Sequence, residues 1–186
     1  MYATAAGGVL ASLTLQRATG QGRDGLAGIE GVVGSPHDDF LTGGAGGNRL
    51  FGGAGADRVD GGDGDDLVDG GTGSDTLVGG LGVDLVSYGR SSHAVEASLD
   101  AKLAVTPEAT DALEGFESLR GSQRADALTG DGGDNAIYGE DGRRRPRWPR
   151  RAQSTRRRRR LRYLPEQHRD AAVRGLMRAP GGRGLL

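Results

Sequence analysis

The sequence contains no cysteine, which excludes disulfide staples and thiolate metal sites and leaves hard oxygen donors as the means of holding any metal. Aromatic residues supply 4% of the chain and all hydrophobic residues 35%. A chain of 186 residues is long enough for one domain, yet this one has too little apolar side chain for a conventional core. No apolar run nears the roughly 18 residues that would span a bilayer, so no transmembrane segment is expected. The start, Met1 to Leu10, has neither the basic n-region nor the apolar h-region of a cleaved signal, so export would need another route. The helix motif HExxH and the nucleophile elbow GxSxG are both missing. His37, His93 and His168 lie far apart, and although His93 follows Ser91 and Ser92, no acid in the sequence is evidently positioned beside it. Nothing here reads as an enzyme.

Charge is divided sharply. Residues 1–142 hold 23 acidic against 8 basic side chains, and residues 143–186 hold 2 against 16. The body and the tail are therefore separate physical objects with separate explanations.

Glycine is abundant, at 36 positions, far above its usual share of about 7%. Because glycine loses more backbone freedom on ordering than any other residue, something other than side-chain burial must offset that cost. Set in rows of nine from Gly34, the chain reads GSPHDDFLT, GGAGGNRLF, GGAGADRVD, GGDGDDLVD, GGTGSDTLV and GGLGVDLVS. Position 6 is Asp39, Asn48, Asp57, Asp66, Asp75 and Asp84, while position 8 is Leu41, Leu50, Val59, Val68, Leu77 and Val86. Solvated loops or disorder would not hold an apolar residue at every ninth position.

The pattern suits calcium. That ion takes 6 to 8 oxygen ligands at about 2.3 to 2.6 Å and mixes carboxylates with backbone carbonyls. Aiming several carbonyls from one short turn at one ion demands positive φ, which costs little only for glycine. The aspartate at position 6 adds charge on a short side chain, and the three residues after it form a strand with position 8 turned inward.

The rows resemble the RTX nonapeptide family, motif GGxGxDx(apolar)x, a known calcium-binding β-helix repeat. The rows starting at Gly52, Gly61, Gly70 and Gly79 fit every defined position. The resemblance implies an all-β fold, a right-handed parallel β-roll in which two rows make one 18-residue coil and several calcium ions sit between turns 18 residues apart. It pairs Asp57 with Asp75 and Asp66 with Asp84, with carbonyls near Gly53, Gly55, Gly62, Gly64, Gly71, Gly73, Gly80 and Gly82. Asn48 with Asp66 makes a weaker site, supported by Gly44 and Gly46, because an amide brings no charge. Asp39 lies in a row without glycine at positions 2 and 4, which puts its ligation in doubt.

Residues 24–55 recur as 111–142 at an offset of 87, among them Asp24, Leu26, Gly28, Glu30, Gly34, Ser35, Asp39 and Asn48 as Asp111, Leu113, Gly115, Glu117, Gly121, Ser122, Asp126 and Asn135. Asp126 and Asn135 thereby become candidate ligands of a second block. Upstream, Ala11-Ser12-Leu13 returns as Ala97-Ser98-Leu99, and the arms Val9–Leu15 and Val95–Leu103 read as longer strands that extend the coil. Glu30 and Glu117, in a connector that secreted RTX proteins often carry, read as turn-orienting residues rather than ligands, since each lacks the glycine frame that supplies companion carbonyls. The expected organisation is an arm and connector at 1–33, a first roll at 34–87, an insert with a second arm and connector at 88–120, a truncated second block at 121–142 and an arginine-rich tail at 143–186.

In the row from Gly139, position 6 is Arg144, and RRRPRWPRRAQSTRRRRRLRY follows. Two readings stay open. A basic tail with Trp148 and Tyr163 suits an anionic partner, whereas a slip of reading frame turns codons GGC GAC GAC into CGA CGA, an acidic repeat into an arginine run. The second fits the abruptness better, and no specific nucleic acid is expected as a partner. By resemblance, the chain folds outside the cell after passage through a type I ABC exporter, although an arginine-rich end is unlike the signals such exporters take. Two functions follow: a calcium-binding module that couples the ion to folding of a secreted protein, or a structural or adhesive surface protein built of stacked rolls.

Overall fold

A computed structural model of the chain describes residues 1–20 and 22–140. The expectations for Arg144, Trp148, Tyr163, His168 and the rest of the tail fall outside these residues.

Each nonapeptide makes one strand. The first row gives β5 (Phe40–Thr42), and the next four give β6 (Arg49–Ala54), β7 (Arg58–Asp63), β8 (Leu67–Thr72) and β9 (Thr76–Leu81), followed by β10 (Leu85–Ser87). Successive rows alternate between two sheets, so that β5, β7 and β9 stack in parallel in one and β6, β8 and β10 in the other. Register is locked at 18 residues, with Leu50 opposite Val68 and Val59 opposite Leu77. The fold is a parallel β-roll.

Position 8 forms the core. Leu41, Leu50, Val59, Val68, Leu77 and Val86 are all fully buried between the sheets. Burying each such side chain contributes about 1.5–3 kcal/mol. Only one residue per row is available for this, so the interior is a thin file of aliphatic groups rather than a thick core.

The roll does not stop where the nonapeptide period stops. In the six-stranded sheet, β4 (Gly31–Val33) precedes β6, and β10 is followed directly by β14 (Ser118–Arg120) and β16 (Ala136–Tyr138), all parallel. In the ten-stranded sheet the insert enters as a meander of β11 (Glu96–Ser98), β12 (Leu103–Val105) and β13 (Thr110–Glu114), with β13 stacked on β9 and β11 on β15 (Ala127–Thr129). The same meander occurs at the start as β1 (Leu10–Ser12), β2 (Arg17–Thr19) and β3 (Arg23–Gly25), with β1 on β5. The arms are therefore not long strands, as their patterning suggests, but short hairpins. Gln16 and Lys102, at φ of 53° and 57°, reverse the chain at equivalent points.

Candidate metal centre

The turns between strands bring position-6 side chains of alternate rows onto common edges. The backbone N–H of Asp39 donates to Oδ1 of Asp57 (2.8 Å), that of Asp57 to Oδ1 of Asp75 (2.9 Å), that of Asn48 to Oδ1 of Asp66 (2.7 Å) and that of Asp66 to Oδ1 of Asp84 (2.9 Å). Each link spans 18 residues. One carboxylate oxygen is thus consumed in binding one coil to the next.

The other oxygen is not consumed. Oδ2 of Asp57, Asp66, Asp75 and Asp84 is buried without a hydrogen-bond partner, and among the described residues no other side-chain polar atom is so placed. These are the four rows in which every motif position is filled. An unpaired buried carboxylate oxygen is costly, and burial, foremost, with help from neighbouring carboxylates, pushes Asp57 up to about 7 and Asp75 and Asp84 up to about 6. Burial raises Asp66 as well.

Glycine builds the frame around these oxygens. A Cβ at Gly52, Gly61 or Gly70, the first residue of a row, would collide with Oδ2 of Asp57, Asp66 or Asp75. Positions 2 and 4 of the same four rows, Gly53, Gly55, Gly62, Gly64, Gly71, Gly73, Gly80 and Gly82, take φ from 96° to 142°. Their carbonyls crowd the next coil, since a Cβ on Gly71, Gly73, Gly80 or Gly82 would strike the carbonyl oxygen of Gly53, Gly55, Gly62 or Gly64. Among the described residues no three His, Cys, Asp or Glu side chains cluster as a metal site. A cation here needs carbonyl donors beside the carboxylates, which is the mixed shell calcium accepts.

The remaining candidates are built differently. Oδ2 of Asp39 accepts from the Ser35 N–H (2.5 Å), and Oδ1 from the Ser35 hydroxyl (2.8 Å) and the Val9 N–H (2.6 Å). Asp126 repeats the Oδ1 bonds, accepting from the Ser122 hydroxyl and the Val95 N–H. The Asn48 amide accepts from the Gly44 N–H and donates to Glu30 (2.9 Å), and Asn135 bonds Asp131 through both its amide atoms. Gly44 and Gly46 do not take positive φ. In the rows of Asp39, Asn48 and Asn135 protein donors and acceptors bond both polar atoms of the side chain at position 6.

Asp111, known from the sequence only as the recurrence of Asp24, and Glu117, read there as turn-orienting, extend the edges. Asp111 Oδ1 accepts the Asp75 N–H, and Glu117 Oε2 accepts the Asp84 N–H, both at 2.9 Å, where the period would place the next position-6 residue. Asp111 also accepts from the Tyr88 hydroxyl at 2.9 Å. His93 does have an acid near it, contrary to the sequence reading. Glu108 lies 3.8 Å from Nε2, with Ser92 Oγ 3.2 Å from Nδ1, but the ion pair is exposed, and such pairs contribute little.

The family model for the RTX calcium-binding nonapeptide repeat (4 copies) matches residues 33–68, 60–90 and 111–144. The chain belongs to the RTX family. The matched segments contain all four orphaned carboxylates and both copies of the connector–roll junction. RTX repeats bind calcium, and the oxygen-only, glycine-framed turns fit that ion. No curated protein matches the chain. Among its described residues no helix is long and apolar enough to cross a membrane.

Proposed function

We propose that this RTX roll couples calcium binding to its own folding as a module of a secreted protein. Calcium ions would lie between turns two rows apart, held by Asp57 with Asp75 and Asp66 with Asp84, and by the backbone carbonyls of the glycines at positions 2 and 4. The observation that carries this reading is the coincidence of four buried, unpartnered Oδ2 atoms with the four complete rows. With 23 acids against 8 bases in residues 1–142, the calcium-free body repels itself, and bound ions neutralise the charge and order the turns, so that binding energy becomes folding energy. Asp39, Asn48, Asp126 and Asn135 act as hydrogen-bonded closures that need no metal.

Such coupling suits a chain that crosses a type I exporter unfolded from a calcium-poor compartment and folds outside. The uninterrupted six-stranded sheet through both units also favours a second reading, a structural spacer in which stacked rolls set a distance at a surface. Native mass spectrometry in calcium tests the ligand assignment. Asp57→Ala and Asp84→Ala should each lower the number of bound ions, and Asp39→Ala should leave it unchanged; equal counts in all three variants would overturn it.

A further inference from the structure

The two copies of the connector do different things. In the second copy, Asp111 to Ser118 closes the end of a complete roll. Asp111 takes the Asp75 N–H, Ala112 N–H donates to the Asp75 carbonyl, and Glu117 and Ser118 N–H donate to the Asp84 carbonyl. Strand β13 lies on β9 and β14 on β10. Asp111, Leu113 and Phe116 are buried by this contact and by the core, with Phe116 only 5% exposed.

The first copy has the same internal geometry without the roll. Tyr2 hydroxyl donates to Asp24 as Tyr88 does to Asp111, and Tyr2 N–H donates to the Val33 carbonyl as Tyr88 N–H does to Arg120. Gly28 and Gly115 share a φ of 67° and 68°. Strands β3 and β4 are the outermost strands of their two sheets, at the same end of the stack. Asp24 is exposed, Leu26 half-buried, and Ile29, the counterpart of Phe116, is 43% exposed. Edge strands with open backbone groups are templates for pairing with another chain.

We infer that the end face formed by β3, β4, Asp24, Leu26 and Ile29 is a docking surface for the last coil of a separate RTX roll made of complete GGxGxD rows, bound end-on as the second connector binds β9 and β10. The partner is defined by what the second copy already holds. Its penultimate row offers a position-6 N–H to Asp24 as Asp75 offers one to Asp111, and its last two strands extend both sheets in register. A second copy of this chain is not the expected occupant, because its complete rows in coil 70–87 are already closed by its own residues 111–120, and its outermost strands β15 and β16 belong to the incomplete rows from Gly121 and Gly130. Ile29 would fill the place that Phe116 fills.

The test uses the full chain in saturating calcium and, as probe, a roll of concatenated copies of residues 61–78 at a length that itself gives a calcium-dependent β circular dichroism signal. Isothermal titration should detect binding of the probe, and Asp24→Ala with Ile29→Arg should weaken it by at least about tenfold, the loss of one or two interface anchors. Leu103→Arg, at a residue equally exposed at 43% but far from this face, should leave it unchanged. The dichroism of the full chain is followed in parallel, so failure of calcium-dependent folding is separated from failure of docking. Absence of probe binding by a folded chain, binding that Leu103→Arg weakens as much as Ile29→Arg, or self-association of the chain that Ile29→Arg abolishes would each overturn the assignment.

Discussion

The backbone N–H of Asp75 donates to Oδ1 of Asp111 at 2.9 Å although 36 residues of chain separate them. Two coil lengths of sequence are thus spent between neighbouring positions on one edge, because the meander β11–β12–β13 is folded into the sheet between them. Asp111 is satisfied on its other oxygen by Tyr88, so it closes the edge where Asp57, Asp66, Asp75 and Asp84 leave an oxygen open.

Removing Asp111 should therefore act on stability more than on calcium. Asp111→Ala leaves two buried donors without an acceptor, each costing about 1–3 kcal/mol, whereas Tyr88→Phe removes one donor and should cost less. Guanidinium unfolding in saturating calcium measures both. Equal stability of the two variants would contradict the closing role.

Asp57 and Asp39 occupy the same row position with opposite surroundings. Asp57→Asn removes charge from an orphaned oxygen, so it should weaken calcium binding by about tenfold or more while relieving the calcium-free form. Asp39→Asn disturbs bonds to Ser35 and Val9 and should destabilise by about 1 kcal/mol or more with calcium affinity unchanged. Calcium titration monitored by calorimetry separates the two.

Glycines within one turn should not be equivalent to those at the edge. Gly61→Ala places a Cβ against the Asp66 carboxylate and the Gly79 carbonyl, and Gly71→Ala, at φ of 99°, adds backbone strain to a collision with Gly53. Each should cost about 1–3 kcal/mol or prevent calcium-induced folding. Gly25→Ala meets open space and should be tolerated, as thermal melts would show.

Calcium-free and calcium-loaded forms should respond to pH in opposite directions. Burial holds Asp57 near 7 and Asp75 and Asp84 near 6, above the value of about 4 in an unfolded chain. The calcium-free fold therefore binds protons more tightly than the unfolded chain, so its stability is greatest below about pH 4 and falls as pH rises to about 7. Calcium competes with those protons, and its apparent affinity should fall as pH drops from 7 to 5. Melting in chelator and calcium titration across this range check both signs; a calcium-free fold that gains stability from pH 4 to 7 would contradict them.

Period 9 made the roll readable, because position 6 and position 8 carry opposite chemistry and the backbone repeats without insertion from Gly34 to Ser87. Asp39 stood out from the complete rows through the absence of glycine at positions 2 and 4. Gly44 and Gly46 did not, since their row keeps its glycines while the neutral Asn48 closes on Gly44 and Glu30 without positive φ. The hairpins at Gln16 and Lys102 carry no glycine, proline or asparagine at the reversal, and the only signal used there is the weaker one of Ser12 and Ser98, whose hydroxyls accept the N–H groups of Leu15 and Ala101. Asp111 and Glu117 lie across an insert whose length hides their place on the edges, although the 87-residue duplication that relates them to Asp24 and Glu30 was visible.

Far-ultraviolet circular dichroism of the chain, stripped of metal with chelator and then titrated with calcium at pH 7.5, tests the coupling of ion to fold most directly. The expected result is little β signal in chelator and a cooperative gain at up to about millimolar calcium. A full β spectrum in chelator that calcium leaves unchanged would contradict it.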